Sequence, residues 1–145
     1  LRMARAPRGI DRMIKGISHI TFIVKDLEKS MKLFHDLFDA KEVYSSGDKT
    51  FSLSREKFFT IGEMWFAIME GEPVQRSYHH VAFDVSDDEF EIYVQKLQDL
   101  SLEIKPARQR KQDEGKSIYF YDYDNNLFEI HCGTLERRLK FYKEG

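Results

Sequence analysis

The chain has 145 residues, 41% of them hydrophobic and 33% charged, with a formal net charge of −2. That is about one domain's length, with apolar residues enough for a core, and the near balance of charge argues against nucleic acid or a membrane surface as partner. No apolar run approaches the roughly 20 residues of a transmembrane helix, and the single cysteine, Cys132, excludes an internal disulfide, which suits a reducing, cytoplasmic setting.

Residues 1–12 are basic, aperiodic and without the apolar centre of a signal peptide. They are expected to be a disordered leader or tag remnant, leaving 13–145 as a single domain. The stretch Ile17-Ser18-His19-Ile20-Thr21-Phe22-Ile23-Val24-Lys25-Asp26 alternates with period two, so Ile20, Phe22 and Val24 face a core and His19 and Thr21 face the other way. Asp26 is a good N-cap, and Leu27, Met31, Phe34 and Phe38 recur at helical spacing through Asp39. Short β pieces follow at Glu42–Ser45, Thr50–Ser54, Phe58–Ile61 and Met64–Met69, with a turn at Ser46-Gly47-Asp48-Lys49 and a linker at Glu70-Gly71-Glu72-Pro73.

The order then repeats. Tyr78-His79-His80-Val81-Ala82-Phe83-Asp84-Val85 copies the first strand, with His80 in the place of His19. A helix capped by Asp87 or Asp88 runs to about Leu100 with Phe90, Val94, Leu97 and Leu100 on one stripe, and a short strand lies around Leu102–Ile104. A polar loop from Pro106 to Lys116 precedes strands Ser117–Tyr121 and Leu127–His131, and a last helix begins at Thr134 and runs to about Lys143. The pattern is βαβββ twice, with modules at about 16–70 and 77–132 and a C-terminal helix at 134–143. This is an α+β fold of two curved sheets that closes into a cup-shaped sheet only when two halves pair, within one chain or across a dimer.

Alternation turns His19, Thr21, His80, Glu129 and His131 into the cup, together with Trp65, Ala67 and Met69 and with Ser117, Tyr119 and Tyr121. Two histidines and a glutamate from three strands form an N₂O donor set suited to Mn²⁺, Fe²⁺, Ni²⁺ or Zn²⁺, with coordination positions left for substrate or water. A strand histidine alone more often serves as a hydrogen-bonded polar residue, and the repeat register is what raises His19 and His80 as a pair. His79, next to His80, must face the opposite side, His35 lies on the first helix, and His131 reads as a supporting or satisfied polar group.

Gly16-Ile-Ser-His-Ile-Thr, the run from Tyr44 to Ser54, Glu56-Lys-Phe-Phe, Trp65, Tyr78-His-His, Glu114-Gly-Lys-Ser-Ile-Tyr-Phe-Tyr-Asp and Leu127-Phe-Glu-Ile-His-Cys-Gly-Thr-Leu-Glu-Arg-Arg-Leu carry a resemblance. The duplicated plan resembles the vicinal oxygen chelate superfamily, and these motifs resemble its FosX-type fosfomycin hydrolases from Met13 to the C-terminus. The resemblance implies a Mn²⁺-dependent enzyme that adds water to the epoxide of fosfomycin, and the half-cup architecture leads to the expectation of a homodimer. It implies His19, His80 and Glu129 as metal ligands, Glu56 as general base with Thr21 beside the reaction, and Trp65, Tyr78, Ser117, Tyr119 and Arg138 around the substrate. Arg108, Arg110, Lys111 and Lys116 of the polar loop could close over its phosphonate, although a charge run is usually a solvated face. Glyoxalases of the superfamily carry a second glutamate on the strand that here reads Met64-Trp-Phe-Ala-Ile-Met, which argues for three protein ligands rather than four. The alternatives are a thiol transferase acting on the same drug, disfavoured because a thiol needs no base such as Glu56, and an antibiotic-binding protein of the same fold, which needs no metal ligands.

Overall fold

A computed structural model describes residues 13–106 and 115–144. The elements run β1 (His19–Val24), α1 (Leu27–Phe38), β2 (Lys41–Ser45), β3 (Glu56–Ile61), β4 (Met64–Glu70), β5 (His80–Asp84), α2 (Asp87–Asp99), β6 (Ile104–Lys105), β7 (Lys116–Tyr121), β8 (Leu127–Cys132) and α3 (Leu135–Glu144). They form two four-stranded sheets, ordered β1-β4-β3-β2 and β5-β8-β7-β6, so the duplicated βαβββ plan is present. In each module the first strand runs parallel to the last, His19 beside Trp65 and His80 beside Leu127. Residues 1–12 and the loop cations Arg108, Arg110 and Lys111 lie outside the described residues.

Local chemistry sets the element ends. The Asp26 carboxylate accepts from the Lys29 backbone N–H at 3.0 Å and starts α1. The start of α2 corrects the expectation of Asp87 or Asp88: Ser86 is the cap, because Glu89 reaches back to its hydroxyl at 3.0 Å. Thr50–Ser54 forms no strand, since both edges of β3 are already taken by β2 and β4, and Phe51 and Leu53 are left exposed. The strand expected at Leu102–Ile104 is instead Ile104–Lys105, because Leu102 turns into the core.

What joins the modules is aromatic. Phe34 of α1 lies 6.4 and 5.3 Å from Phe22 and Phe59 of the first sheet and 5.9 Å from Phe128 of the second. One turn on, Phe38 lies 4.5, 6.3 and 6.1 Å from Phe83, Phe120 and Phe128. The alternate residues of both sheets therefore pack into one shared core. The second module's turn reinforces the joint: Asp124 accepts from the Lys25 N–H, and the Asn126 side chain donates to the Ile23 carbonyl, both at 3.0 Å. Burial raises the Asp124 carboxyl above its ordinary range, partly offset by that backbone donor.

Phe128 is 1% exposed and also stacks with Phe120 and Phe83 and meets Phe22 edge-on. Phe128→Ala is expected to destabilise the fold by about 3–5 kcal/mol in urea unfolding. A loss below about 1 kcal/mol would mean that the modules do not share this core. Among the described residues no helix is long and apolar enough to cross a membrane.

The shared core has a geometric consequence. With one face of each sheet packed on it, the opposite faces are turned away from it. The first such face carries His19, Thr21 and Trp65, and the second carries His80, Glu129 and Tyr119.

Candidate metal and substrate site

On the second sheet, β5, β8 and β7 place His80 beside Leu127, Ala82 beside Glu129 and Tyr119, and Asp84 beside His131 and Ser117. His80 Nε2 lies 3.1 Å from Glu129 Oε1, and the other ring nitrogen, Nδ1, lies 2.7 Å from the Tyr78 carbonyl. A carbonyl can only accept, so Nδ1 carries a proton, and Nε2 is the ring atom that faces the carboxylate. Two electron-rich atoms at that separation need a proton or a cation between them. Glu129 is 4% exposed, which raises the cost of leaving its charge unmatched.

Around this pair, Ser117 Oγ donates to Glu129 Oε2 at 2.5 Å and lies 2.8 Å from His131 Nδ1. The Tyr78 hydroxyl donates to the Tyr119 hydroxyl at 3.2 Å. Burial first, and then that hydrogen bond and the nearby Glu129 charge, push the Tyr119 phenol well above its ordinary range, so Tyr119 remains a neutral O–H donor. Arg138 approaches from α3, whose start is capped by Thr134 accepting from the Arg137 N–H at 3.0 Å. His79 is exposed and outside this face, while His131 is enclosed by Ser117, Glu129 and Arg138.

On the first sheet, strand register lines up His19 with Trp65 and Thr60, Thr21 with Ala67 and Phe58, and Ile23 with Met69 and Glu56. Glu56 therefore shares a face with Thr21 and His19, and it is 9% exposed. Its backbone is pinned by Ser46, whose Oγ accepts from the Glu56 N–H and whose N–H donates to the Glu56 carbonyl, both at 3.0 Å. The His19 ring stacks on Trp65 with centroids 4.1 Å apart, and its Nδ1 lies 3.0 Å from Ser18 Oγ.

The structure thus brings together His80, Glu129, Ser117 and Tyr119 on one sheet, with Tyr78 and Arg138 beside them, and His19, Thr21, Trp65 and Glu56 on the other. It does not bring His19 to His80 and Glu129: among the described residues no three metal-ligating groups converge. Ser117, expected among the residues around the substrate, lies on this face and donates to Glu129. Lys116, expected near the site, lies on the helix side with Nζ 3.8 Å from Asp87. One cation was missed: Lys105 of β6 pairs with Tyr119, and its Nζ lies 5.8 Å from the Tyr78 ring centre. A two-residue strand flanked by polar residues carries too little periodicity to orient a side chain from sequence. The first-module counterpart of Glu129 is Ala67, since each lies beside the residue two after the strand histidine. That position holds no fourth carboxylate.

Residues 16–130 match the family model described as Glyoxalase/Bleomycin resistance protein/Dioxygenase superfamily. The chain is 57% identical, over 90% of its length and 98% of the relative's, to fosfomycin resistance protein FosX of Listeria innocua. It is 39% identical, over 91% of its length and 86% of the relative's, to metallothiol transferase FosB of Staphylococcus saprophyticus. Among solved structures, a mutant FosX of Listeria monocytogenes complexed with Mn(II) and 1S,2S-dihydroxypropylphosphonic acid superposes with a TM-score of 0.81 at 56% identity, covering 88% of this chain and 99% of that one. With the duplicated modules, the paired sheets and the family match running through both, the chain belongs to the glyoxalase/bleomycin resistance protein/dioxygenase superfamily.

Proposed function

We propose that this protein is a Mn²⁺-dependent fosfomycin hydrolase that works as a homodimer. The observation that carries this reading is the His80–Glu129 pair, with Nε2 and Oε1 3.1 Å apart and the His80 proton held by the Tyr78 carbonyl. That donor set fits a borderline divalent cation. His19 is the third ligand and comes from a second copy. Both ligand-bearing faces are turned away from the shared core, so pairing first-sheet face with second-sheet face across two copies closes the cup.

When bound, the cation supplies Lewis acidity that favours opening of the epoxide C–O bond. The chain's own residues do the rest. Glu56, buried on the face of Thr21, takes the proton of the attacking water. The Thr21 hydroxyl and the Trp65 ring border the small substrate. Tyr119, kept neutral, donates a hydrogen bond, and Arg138 offers a charged fork to the phosphonate oxygens. Ser117 acts through Glu129 by holding its second oxygen. Water addition converts an epoxypropylphosphonate into a dihydroxypropylphosphonate, the class of molecule bound in the Listeria monocytogenes FosX structure.

Phosphorus NMR of protein, Mn²⁺ and fosfomycin, with and without thiol, tests the reading. A diol formed without thiol is the expected product. EDTA should stop its formation, and added Mn²⁺ should restore it. A thiol adduct would make the protein a transferase, and unchanged drug would make it a binder or an enzyme of another substrate.

A further inference from the structure

We infer that His131 is a positioning residue that couples the anion-binding end of the site to its metal-binding end, through a hydrogen-bond chain running one way from Arg138 to Glu129. This rests on the roles given above to Arg138 and Glu129. It adds a function for a histidine to which no role was given above.

The direction of the chain follows from its ends. An ionised carboxylate only accepts, so the contact of 2.5 Å between Ser117 Oγ and Glu129 Oε2 uses the hydroxyl's one proton. The contact of 2.8 Å between Ser117 Oγ and His131 Nδ1 must then be donated by the imidazole, whose Nδ1 also lies 3.3 Å from Glu129 Oε2 itself. At the far end a guanidinium only donates, so Arg138 Nη2, 3.4 Å from His131 Nε2, gives its proton to the ring. One tautomer of His131 satisfies both links, the one carrying its hydrogen on Nδ1. The opposite tautomer would set lone pairs of Nδ1 and Ser117 against each other and an N–H against a cation.

Each link does something at its own end. Ser117 holds Oε2 of Glu129, which leaves Oε1 as the oxygen offered beside His80. His131 draws the Arg138 side chain inward: Arg138 is half-buried, while Leu135, Glu136, Arg137, Leu139 and Lys140 around it are exposed. The backbone between them is shaped for this. Gly133 has φ +144, and a Cβ there would sit 3.3 Å from His131 Nε2, crowding the atom that receives the Arg138 proton.

Two substitutions separate the links. In His131→Asn the amide can replace Nδ1 as donor to Ser117 but is too short for Arg138. In His131→Gln the longer side chain reaches toward Arg138 but offers no donor at the Nδ1 position. The full-length protein is titrated with Mn²⁺, followed by the electron paramagnetic resonance of the free ion. Fosfomycin binding to the Mn²⁺-loaded protein is followed by calorimetry, and Tm is recorded for each variant. His131→Asn is expected to keep Mn²⁺ affinity within about threefold and to weaken fosfomycin about tenfold. His131→Gln is expected to weaken Mn²⁺ by about 10- to 100-fold while fosfomycin affinity at saturating Mn²⁺ stays near that of the unmodified protein. Equal losses of both ligands in both variants, or no loss in either, would overturn the inference. Failure of the unmodified protein to hydrate fosfomycin would count against the proposed function instead, and the Mn²⁺ titrations would still decide the link to Glu129.

Discussion

Replacing Glu56 by glutamine is expected to lower fosfomycin hydration by about 10²- to 10⁴-fold, the range that a positioned general base supplies. The substitution keeps size and polarity and removes the basic oxygen. Glu56 is held in place through its backbone, by reciprocal contacts with Ser46 at 3.0 Å, and those remain in the variant. The Mn²⁺ ligands proposed above are other residues, so Mn²⁺ and fosfomycin affinities should stay within a few fold of normal when measured by calorimetry, while phosphorus NMR records the missing diol. Hydration at the unmodified rate would remove Glu56 from the chemistry. If fosfomycin binding fell as steeply as the rate, Glu56 would be a substrate contact rather than the base.

The second large effect is a rescue. His19→Ala and His80→Ala should each abolish hydration alone, because every site then lacks one ligand. Mixed, unfolded and refolded together, they should recover about a quarter of normal activity, since random pairing gives about half heterodimers and each has one intact site of two. The recovery follows from the placement of the two histidines on faces turned away from one core. Ligands contributed within one chain would give no recovery at any mixing ratio. Light scattering that finds only monomer in the active preparation would also exclude the shared site.

Much of this arrangement is legible along the chain because strand alternation is strict. Ile20, Phe22 and Val24 go to the core and His19 and Thr21 to the other face for a reason that needs no tertiary information: successive side chains on a strand point opposite ways. The same rule puts His79 and His80 on opposite faces, with the repeat register choosing His80, and aligns Glu129 with His131 and Leu127. Where periodicity is weak the reading slips. Thr50–Ser54 alternates without a strand to pair with, and the cap of α2 falls on Ser86 because Glu89 happens to reach it. Ser117 was expected to face substrate, and it does face the site, but its one proton is taken by Glu129. That partner is 12 residues away in sequence.

The amino-acid order by itself determined the duplicated βαβββ modules and the face on which each candidate residue lies. Those are consequences of local geometry, repeating every two residues on a strand and about every 3.6 on a helix. The tertiary structure alone decided which faces meet. Phe34 and Phe38 of α1 bind the two sheets into one core, and packing around those rings turns His19 away from His80 and Glu129. Which buried surfaces join is set by the sum of many weak, non-directional contacts between distant residues, and no period in the sequence encodes that sum.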